Sequence, residues 1–334
     1  MTDKVKIAID AMSGENSPKK IIEGINLSLK DNKNNFFYLY GDTDKINKEI
    51  SKYKIDKEFY EIINTNKIIS DSESPLNAAK KGEGTSMWNA IDSQKKNISD
   101  ISLSAGNTGA LLVISRLVLD TLDKIERPAL AGLWPNSNNM SVVLDLGANI
   151  ECNAKNLMDF CSMGSALFKA LFKSSKPKIA LLNVGQEENK GNEVVKKTFN
   201  RLKELNFDGF EFCGYIEGSY IMEGDIDVIV TDGFTGNIAL KTAEGTANFI
   251  TKNLSKSLNK LSMLLSYQSL KKFKNKLDPR KYNGAILLGL QGPVVKSHGS
   301  TDALGFSFSI DLCHKIVKAN IINKIKNNLI LDEI

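Results

Sequence analysis

The chain has 334 residues, 42% hydrophobic and 25% charged, with a formal net charge of +5. That composition excludes a wholly disordered chain and allows a large core, in one big α/β unit or two smaller ones. No apolar run is long enough to cross a bilayer, and MTDKVKIAID enters a strand-like pattern without an apolar h-region, so a cytoplasmic protein is expected. Aromatic-basic RNA motifs and zinc-finger spacings are missing, so nucleic acid is not an expected partner.

In chain order, apolar runs end in small-residue turns: KVKIAIDAMSG, NFFYLYGD, DISLSAGN, SVVLDLGAN, KIALLNVG and DVIVTDGF. Between them lie stretches of helical spacing, among them TGALLVISRLVLDTL and NLMDFCSMGSALFKALF. Continuous Val/Ile/Leu strands alternating with helices predict a mostly parallel sheet covered on both faces, an α/β/α sandwich. Ligands of such sheets collect outside the carboxyl ends of the strands, where these turns fall. Cys152, Cys161, Cys213 and Cys313 are scattered with no C-x-x-C, and His298 and His314 lie far from most of them, so buried or semi-buried free thiols are expected and no metal site.

One turn occurs twice. SAGNTGAL at 104 to 111 and TDGFTGNI at 231 to 238 both read D-x-x-x-[ST]-x-G-x-T-G, aligning Asp100 with Asp227, Ser104 with Thr231, Gly106 with Gly233, Thr108 with Thr235 and Gly109 with Gly236. Glycines admit a close ligand, and the first turn of the following helix offers free N–H groups to an oxyanion such as phosphate. The competing reading is a tight turn with a helix cap. Related turns at DLGAN and LLNVGQEENKG favour the ligand reading. GNIALKT lacks the glycine before the lysine of a P-loop, no G-x-G-x-x-G follows the first strand, and G-x-S-x-G is missing.

DAMSGE, GTSM, SAGNTGAL, ERPAL, VVLDLGAN, LLNVGQEENKG, GYIEG, DGFTGNIALKTAEG, YNGAILLGLQG and VKSHG follow one another along nearly the whole chain. In that order they resemble the PlsX family of bacterial phosphate acyltransferases. The resemblance implies an isocitrate/isopropylmalate dehydrogenase-like fold and a homodimer. It also implies transfer of a long-chain fatty acyl group from acyl carrier protein to inorganic phosphate, giving acyl phosphate for a downstream glycerol-3-phosphate acyltransferase. Cofactors are not part of that chemistry. Two departures stand out: Ser13 and Glu15 replace the usual glycine and aspartate of the first motif, and Lys80 and Lys81 stand where arginine is common.

Phosphate is an ionised nucleophile near neutral pH, so attack on a thioester needs alignment and oxyanion stabilisation rather than a triad. Lys190 and Asn237 are expected to hold phosphate or the oxyanion, with Glu217 and His298 as secondary candidates for orientation or thiolate protonation. Asp10, Lys80, Lys81, Ser86, Gly106, Asn107, Thr108, Gly109, Asn149, Asp232, Gly233, Thr235 and Gly236 are the expected substrate-binding residues. Each has a second reading: Lys190 as a solvated surface lysine, His298 as a structural hydrogen-bonding residue, the aspartates as turn caps.

From Gly245 to Leu277 no acidic residue occurs, and seven lysines punctuate a helical pattern. A single catalytic unit spanning 1–334 is therefore expected to carry a basic amphipathic hairpin at about 246–280. That hairpin suits peripheral contact with the inner face of the cell membrane, packing against the core or a second subunit, or an acidic carrier protein. Rival readings are a phosphotransacetylase-like enzyme using acyl-CoA, a metal- and NAD-dependent dehydrogenase suggested by fold alone, and a non-catalytic membrane adaptor.

Overall fold

Each of the six apolar runs forms a strand, and the two helical stretches form helices. The computed structural model describes residues 4–172, 174–257 and 278–330. In chain order the elements are β1 (Val5–Asp10), α1 (Lys19–Asp31), β2 (Asn35–Gly41), α2 (Thr43–Tyr53), β3 (Tyr60–Asn64), α3 (Pro75–Lys81), α4 (Ser86–Lys95), β4 (Ile101–Ser104) and α5 (Thr108–Leu119). Then come β5 (Ala129–Pro135), β6 (Met140–Leu144), α6 (Ala154–Phe172), β7 (Lys178–Asn183), α7 (Glu193–Glu204), β8 (Glu211–Glu217), β9 (Val228–Val230) and α8 (Gly233–Ser257). The described chain closes with β10 (Ala285–Leu288), β11 (Val294–Lys296), α9 (Ala303–Lys318) and α10 (Ile321–Lys326).

All eleven strands join one sheet in the order β3-β2-β1-β4-β11-β10-β5-β6-β9-β7-β8. Parallel pairing holds from β3 to β11 and again from β6 to β8. The three pairings between these blocks, β11 with β10, β10 with β5 and β5 with β6, are antiparallel. Three reversals leave the second block running opposite to the first.

Alternation along the strands divides the core between the two faces. Val142 and Leu144 of β6 and Val228 and Val230 of β9 join one cluster, with Phe160 of α6 and Phe306 of α9. Val143 and Ile229, on the opposite face, join Met87 of α4 and Leu111 and Ile114 of α5, with Ala239 and Leu240 of α8 packed against them. The sandwich is thus α/β/α as expected, and α5 and α8, the helices that open from the two echoed turns, cover the same face. Fully burying Phe37, Phe160 and Phe306 stabilises the core by roughly 2 to 3 kcal/mol each.

Most of the predicted basic hairpin, residues 258–277, lies outside the described residues. Where the chain is described again, Arg280 pairs with Asp278 at 2.7 Å and with Asp302, the N-cap of α9, at 2.9 Å. Among the described residues no helix is long and apolar enough to cross a membrane.

Candidate active site

The sequence echo is a structural one. Asp100 accepts the backbone N–H of Lys6 at 2.8 Å, and its counterpart Asp227 accepts that of Lys178 at 2.8 Å, so each ties its strand to the start of another. At the far end, Ser104 pairs in register with Asp10 of β1, and Thr231 bonds through its backbone to Asp145 after β6. Each corner therefore sets a small hydroxyl residue beside a buried aspartate on a parallel neighbour.

The two aspartates are used differently. Asp10 accepts the Ser104 hydroxyl at 2.7 Å. Asp145 accepts five N–H groups: the backbones of Leu130, Gly147, Ala148 and Asn149 and the Asn149 side-chain amide, at 2.7 to 3.1 Å. Burial pushes the Asp145 pKa up against the pull of those donors. Asn149 also donates to the Pro128 carbonyl at 2.8 Å, so its amide braces the turn.

Glycine serves backbone contact in both turns. A Cβ on Gly236 would sit 1.9 Å from the Asp145 carbonyl oxygen, and one on Gly233 2.5 Å from that of Asn149, because the first turn of α8 lies on the 145–149 backbone. At Gly106 the added atom would meet Met87 Cε at 2.6 Å and Ser13 Cβ at 2.8 Å, and at Gly109 it would meet Pro75 Cγ at 2.8 Å.

The caps differ too. Asn107 accepts from Ala110 at 3.0 Å, and its amide donates to the Asp71 and Glu73 carbonyls. Asp232 accepts both the backbone N–H and the hydroxyl of Thr235, at 2.8 and 2.9 Å, and α8 starts two positions earlier than the alignment with α5 implies. Asn107, Asp232 and Thr235 thus hold their own helix starts, while the Thr108 hydroxyl makes no hydrogen bond among the described residues.

At the first corner two lysines meet. Lys20, on α1 and 4% exposed, donates through Nζ to the Gly299 carbonyl, and Lys296, ending β11, donates to the Ser297 carbonyl. Among the described residues neither ammonium has a carboxylate within salt-bridge distance. Burial and the neighbouring Lys20 charge push Lys296 down to about 8, and burial lowers Lys20 as well. Asn283 fixes the loop above them: its amide donates to Ser297 Oγ at 2.9 Å and its oxygen accepts the His298 backbone N–H at 2.9 Å. The His298 ring accepts the Ser300 N–H at Nδ1, 3.3 Å away, which puts its proton on Nε2. Burial lowers its pKa, and Lys241 of α8 lowers it further.

Lys241 also acts on Lys296, so α8 carries Asn237 at the second corner and, one turn on, a charge at the first. Four strands, β11, β10, β5 and β6, lie between β4 and β9 in the sheet order, so the two corners belong to different blocks of the sheet. Asn237 lies over Gly147, with its side chain 3.5 Å from where a Cβ would be. Between α5 and the second corner runs a groove of mixed lining, apolar at Leu112, Leu117 and Pro128 and polar at Arg116, Arg127 and Asn149.

The other expected residues are distributed around this frame. Lys190 is exposed in the loop after β7, where its backbone bonds Glu187 and Asn183. Glu217 ends edge strand β8 in register with that same Asn183. Lys80 and Lys81 form the exposed last turn of α3. Ser86 opens α4 with a fully buried hydroxyl that has no partner. Lys20, Lys296, Ser13, Asn283 and Lys241 were not singled out as site residues. For Lys20 a signal existed: with Gly24 and Ser28 it repeats every fourth residue on the buried face of α1.

The chain matches the family model described as "Fatty acid synthesis protein" over residues 5–324. It is 57% identical over 334 residues to the phosphate acyltransferase of Pelagibacter ubique (strain HTCC1062), covering 98% of this chain and all of that one. It belongs to the PlsX family of phosphate acyltransferases. A second family member, from Afipia carboxidovorans, is 42% identical over 97% of this chain and 94% of its own. As a phosphate acyltransferase the chain is an enzyme, a transferase of fatty acid and phospholipid synthesis.

Among solved structures it resembles the EutD phosphotransacetylase from Staphylococcus aureus (TM-score 0.60, 15% identity, 95% of this chain and 94% of that one). It also resembles a 4-hydroxythreonine-4-phosphate dehydrogenase from Klebsiella pneumoniae (TM-score 0.53, 15% identity, 94% and 100%). At these identities the likeness is one of fold.

The thiols of this phosphate acyltransferase are all unpaired, but Cys213 is exposed, not buried or semi-buried as expected, because it lies on edge strand β8. Desolvation raises all four thiol pKa values, that of Cys152 to about 12, so none is a thiolate near neutral pH.

Proposed function

We propose that this enzyme transfers a long-chain fatty acyl group from acyl carrier protein to inorganic phosphate and releases acyl phosphate. A phosphate oxygen attacks the thioester carbonyl carbon, the C–S bond breaks, and the carrier thiolate leaves with the electron pair and takes up a proton. Lys190 and Asn237 stabilise the tetrahedral oxyanion, while His298 and Glu217 orient the partners or supply the proton. The observation that carries this reading is α8, whose Asn237 and Lys241 lie one turn apart and link the second corner to the cationic first corner.

Two further features support it. The raised thiol pKa values disfavour a covalent acyl-cysteine, in keeping with direct attack by phosphate. Ile150, Val184 and Phe234, each more than half exposed, follow the carboxyl ends of β6, β7 and β9 and offer an apolar rim to the acyl-pantetheine side.

The enzyme acts as a homodimer at the inner face of the cell membrane. Its contact runs through about 246–280, and a downstream glycerol-3-phosphate acyltransferase takes up the product. Exposed Phe249 and Ile250 on α8 suit such contacts. The test combines purified protein, long-chain acyl carrier protein and phosphate, following free carrier thiol and acyl phosphate, with long-chain acyl-CoA in parallel. Acyl phosphate from the carrier substrate, falling about 100-fold in Lys190→Ala or Asn237→Ala, is the expected result. Product from acyl-CoA alone would reassign the donor, and no phosphate-dependent product from either would end the reading.

A further inference from the structure

The backbone turns at 13–14, 105–106 and 297–299 close around the Lys20 ammonium. A Cβ on Gly14, whose φ is +84°, would lie 2.9 Å from both Lys20 Nζ and the Ala105 carbonyl oxygen, and one on Gly299 would lie 3.4 Å from that same oxygen. Ser13 is 3% exposed, and its hydroxyl has no hydrogen-bond partner. It lies 3.0 Å from where a Cβ on Gly106 would be, at the entry to α5. Gly106 donates its own N–H to Ser104 at 3.1 Å.

Each lysine ammonium has three donors, and Lys20 and Lys296 each give one to a carbonyl. The carboxylates acting on Lys20 are Glu15 and Asp71, both exposed to solvent that screens them. Asp10, which acts on Lys296, is engaged by Ser104, and Glu244, which acts on His298, is paired with Lys241 at 2.8 Å. Lys20 is buried and Lys296 half-buried, and ammoniums drawn out of water with unused donors and no paired charge are unfavourable unless an anion completes them. A hydroxyl left unbonded beside them adds a neutral donor that suits a tetrahedral oxyanion.

Building on the proposed reaction, we propose that Lys20, Lys296 and Ser13 form the subsite that holds the free phosphate acceptor. Phosphate seated here lies at the corner where the Lys241 charge of α8 is felt by Lys296 and His298. The phosphodiester of the pantetheine arm carries the same chemistry, and the subsite is assigned to free phosphate because the anion is enclosed by three backbone turns rather than strung along an open groove.

The test measures thermal stabilisation by inorganic phosphate without carrier protein, and KM for phosphate and for acyl carrier protein separately. It uses the wild type, Lys20→Met, Lys296→Met, Lys296→Arg and Ser13→Ala. Each methionine variant is expected to lose the phosphate-induced stabilisation and to raise KM for phosphate about 10-fold or more, with KM for the acyl donor within about twofold. Lys296→Arg keeps most of the stabilisation, and Ser13→Ala raises KM for phosphate about threefold.

Folded methionine variants with unchanged phosphate stabilisation, or with the KM increase on the acyl donor, would overturn the subsite. In case these variants fail to fold, the unmodified protein labelled with 13C at lysine Cε provides the second readout. Phosphate shifts the Lys20 and Lys296 resonances if the proposal holds and leaves them in place if it does not. A wild type that makes acyl phosphate while its variants bind phosphate normally removes only the subsite; a wild type with no phosphate-dependent transfer removes the reaction.

Discussion

The corner at Ser104 and the corner at Thr231 share one scaffold and are filled with opposite chemistry. Both hang from an aspartate that ties a strand start, and both face a buried aspartate on a parallel neighbour. The first has a buried lysine, a half-buried one and an unbonded serine hydroxyl around its turn. The second packs the first turn of α8 on the backbone around Asp145 and exposes Phe234 and Asn237 outside it. A shared backbone plan thus does not dictate a shared ligand. What differs is the third partner: α1 and the 297–299 loop at one corner, the 145–149 turn at the other.

Substitutions at matching positions break this comparison apart. Gly236→Ala drives a Cβ onto a backbone carbonyl and should destabilise the fold by about 3 kcal/mol or more in denaturant melts, whereas Gly109→Ala meets a proline ring edge and should lose about 1 kcal/mol. Equal losses would mean that the glycines serve the same contact. Asp145→Asn places an amide among five donors, with an expected loss of about 2 to 3 kcal/mol; Asp10→Asn, facing one hydroxyl and the more distant Met12 N–H, should lose about half of that.

A pH series sharpens the electrostatic side. Sulfate keeps its charge across this range, so its binding reports the lysines. With Lys296 lowered to about 8, the site is charged below that pH and loses the charge above it. Sulfate affinity should therefore fall about tenfold from pH 7 to pH 9, and Lys296→Arg should flatten the curve. The groups facing Lys296 are Lys20 on α1, Asp10 on β1, Asp71 before α3 and Lys241 on α8, and the lowered Lys20 acts in the same direction. Ser104→Ala, which removes the hydroxyl that donates to Asp10 and accepts the Gly106 N–H, should cost about 1 kcal/mol of stability, as small as the loss at Gly109.

Much of the frame was legible because it is local. Six strands are continuous apolar runs that stop at small residues, and all six lie in the sheet. β10 and β11 are four and three residues long, and edge strand β8 has two adjacent buried positions after a run that is exposed or only half-buried, so it breaks the period of two; such segments leave little pattern to read. The reversal of the second block depends on which strands meet in the middle of the sheet, which no local window contains. The same holds for the site. Ser13 stood out as a departure from the family motif, but that its hydroxyl lies over Gly106 follows from the pairing of β1 with β4. Asn107, Asp232 and Thr235 were readable as ligands or as caps, and their hydrogen bonds are those of caps.

The interval on α8 from Asn237 to Lys241 behaves as a ruler. One turn of helix is 3.6 residues, so adding or deleting a single residue between them would swing everything downstream by about 100° and carry Lys241 off the first corner. Length changes should therefore be rejected across the first turns of α8, even where no side chain in that stretch is itself altered.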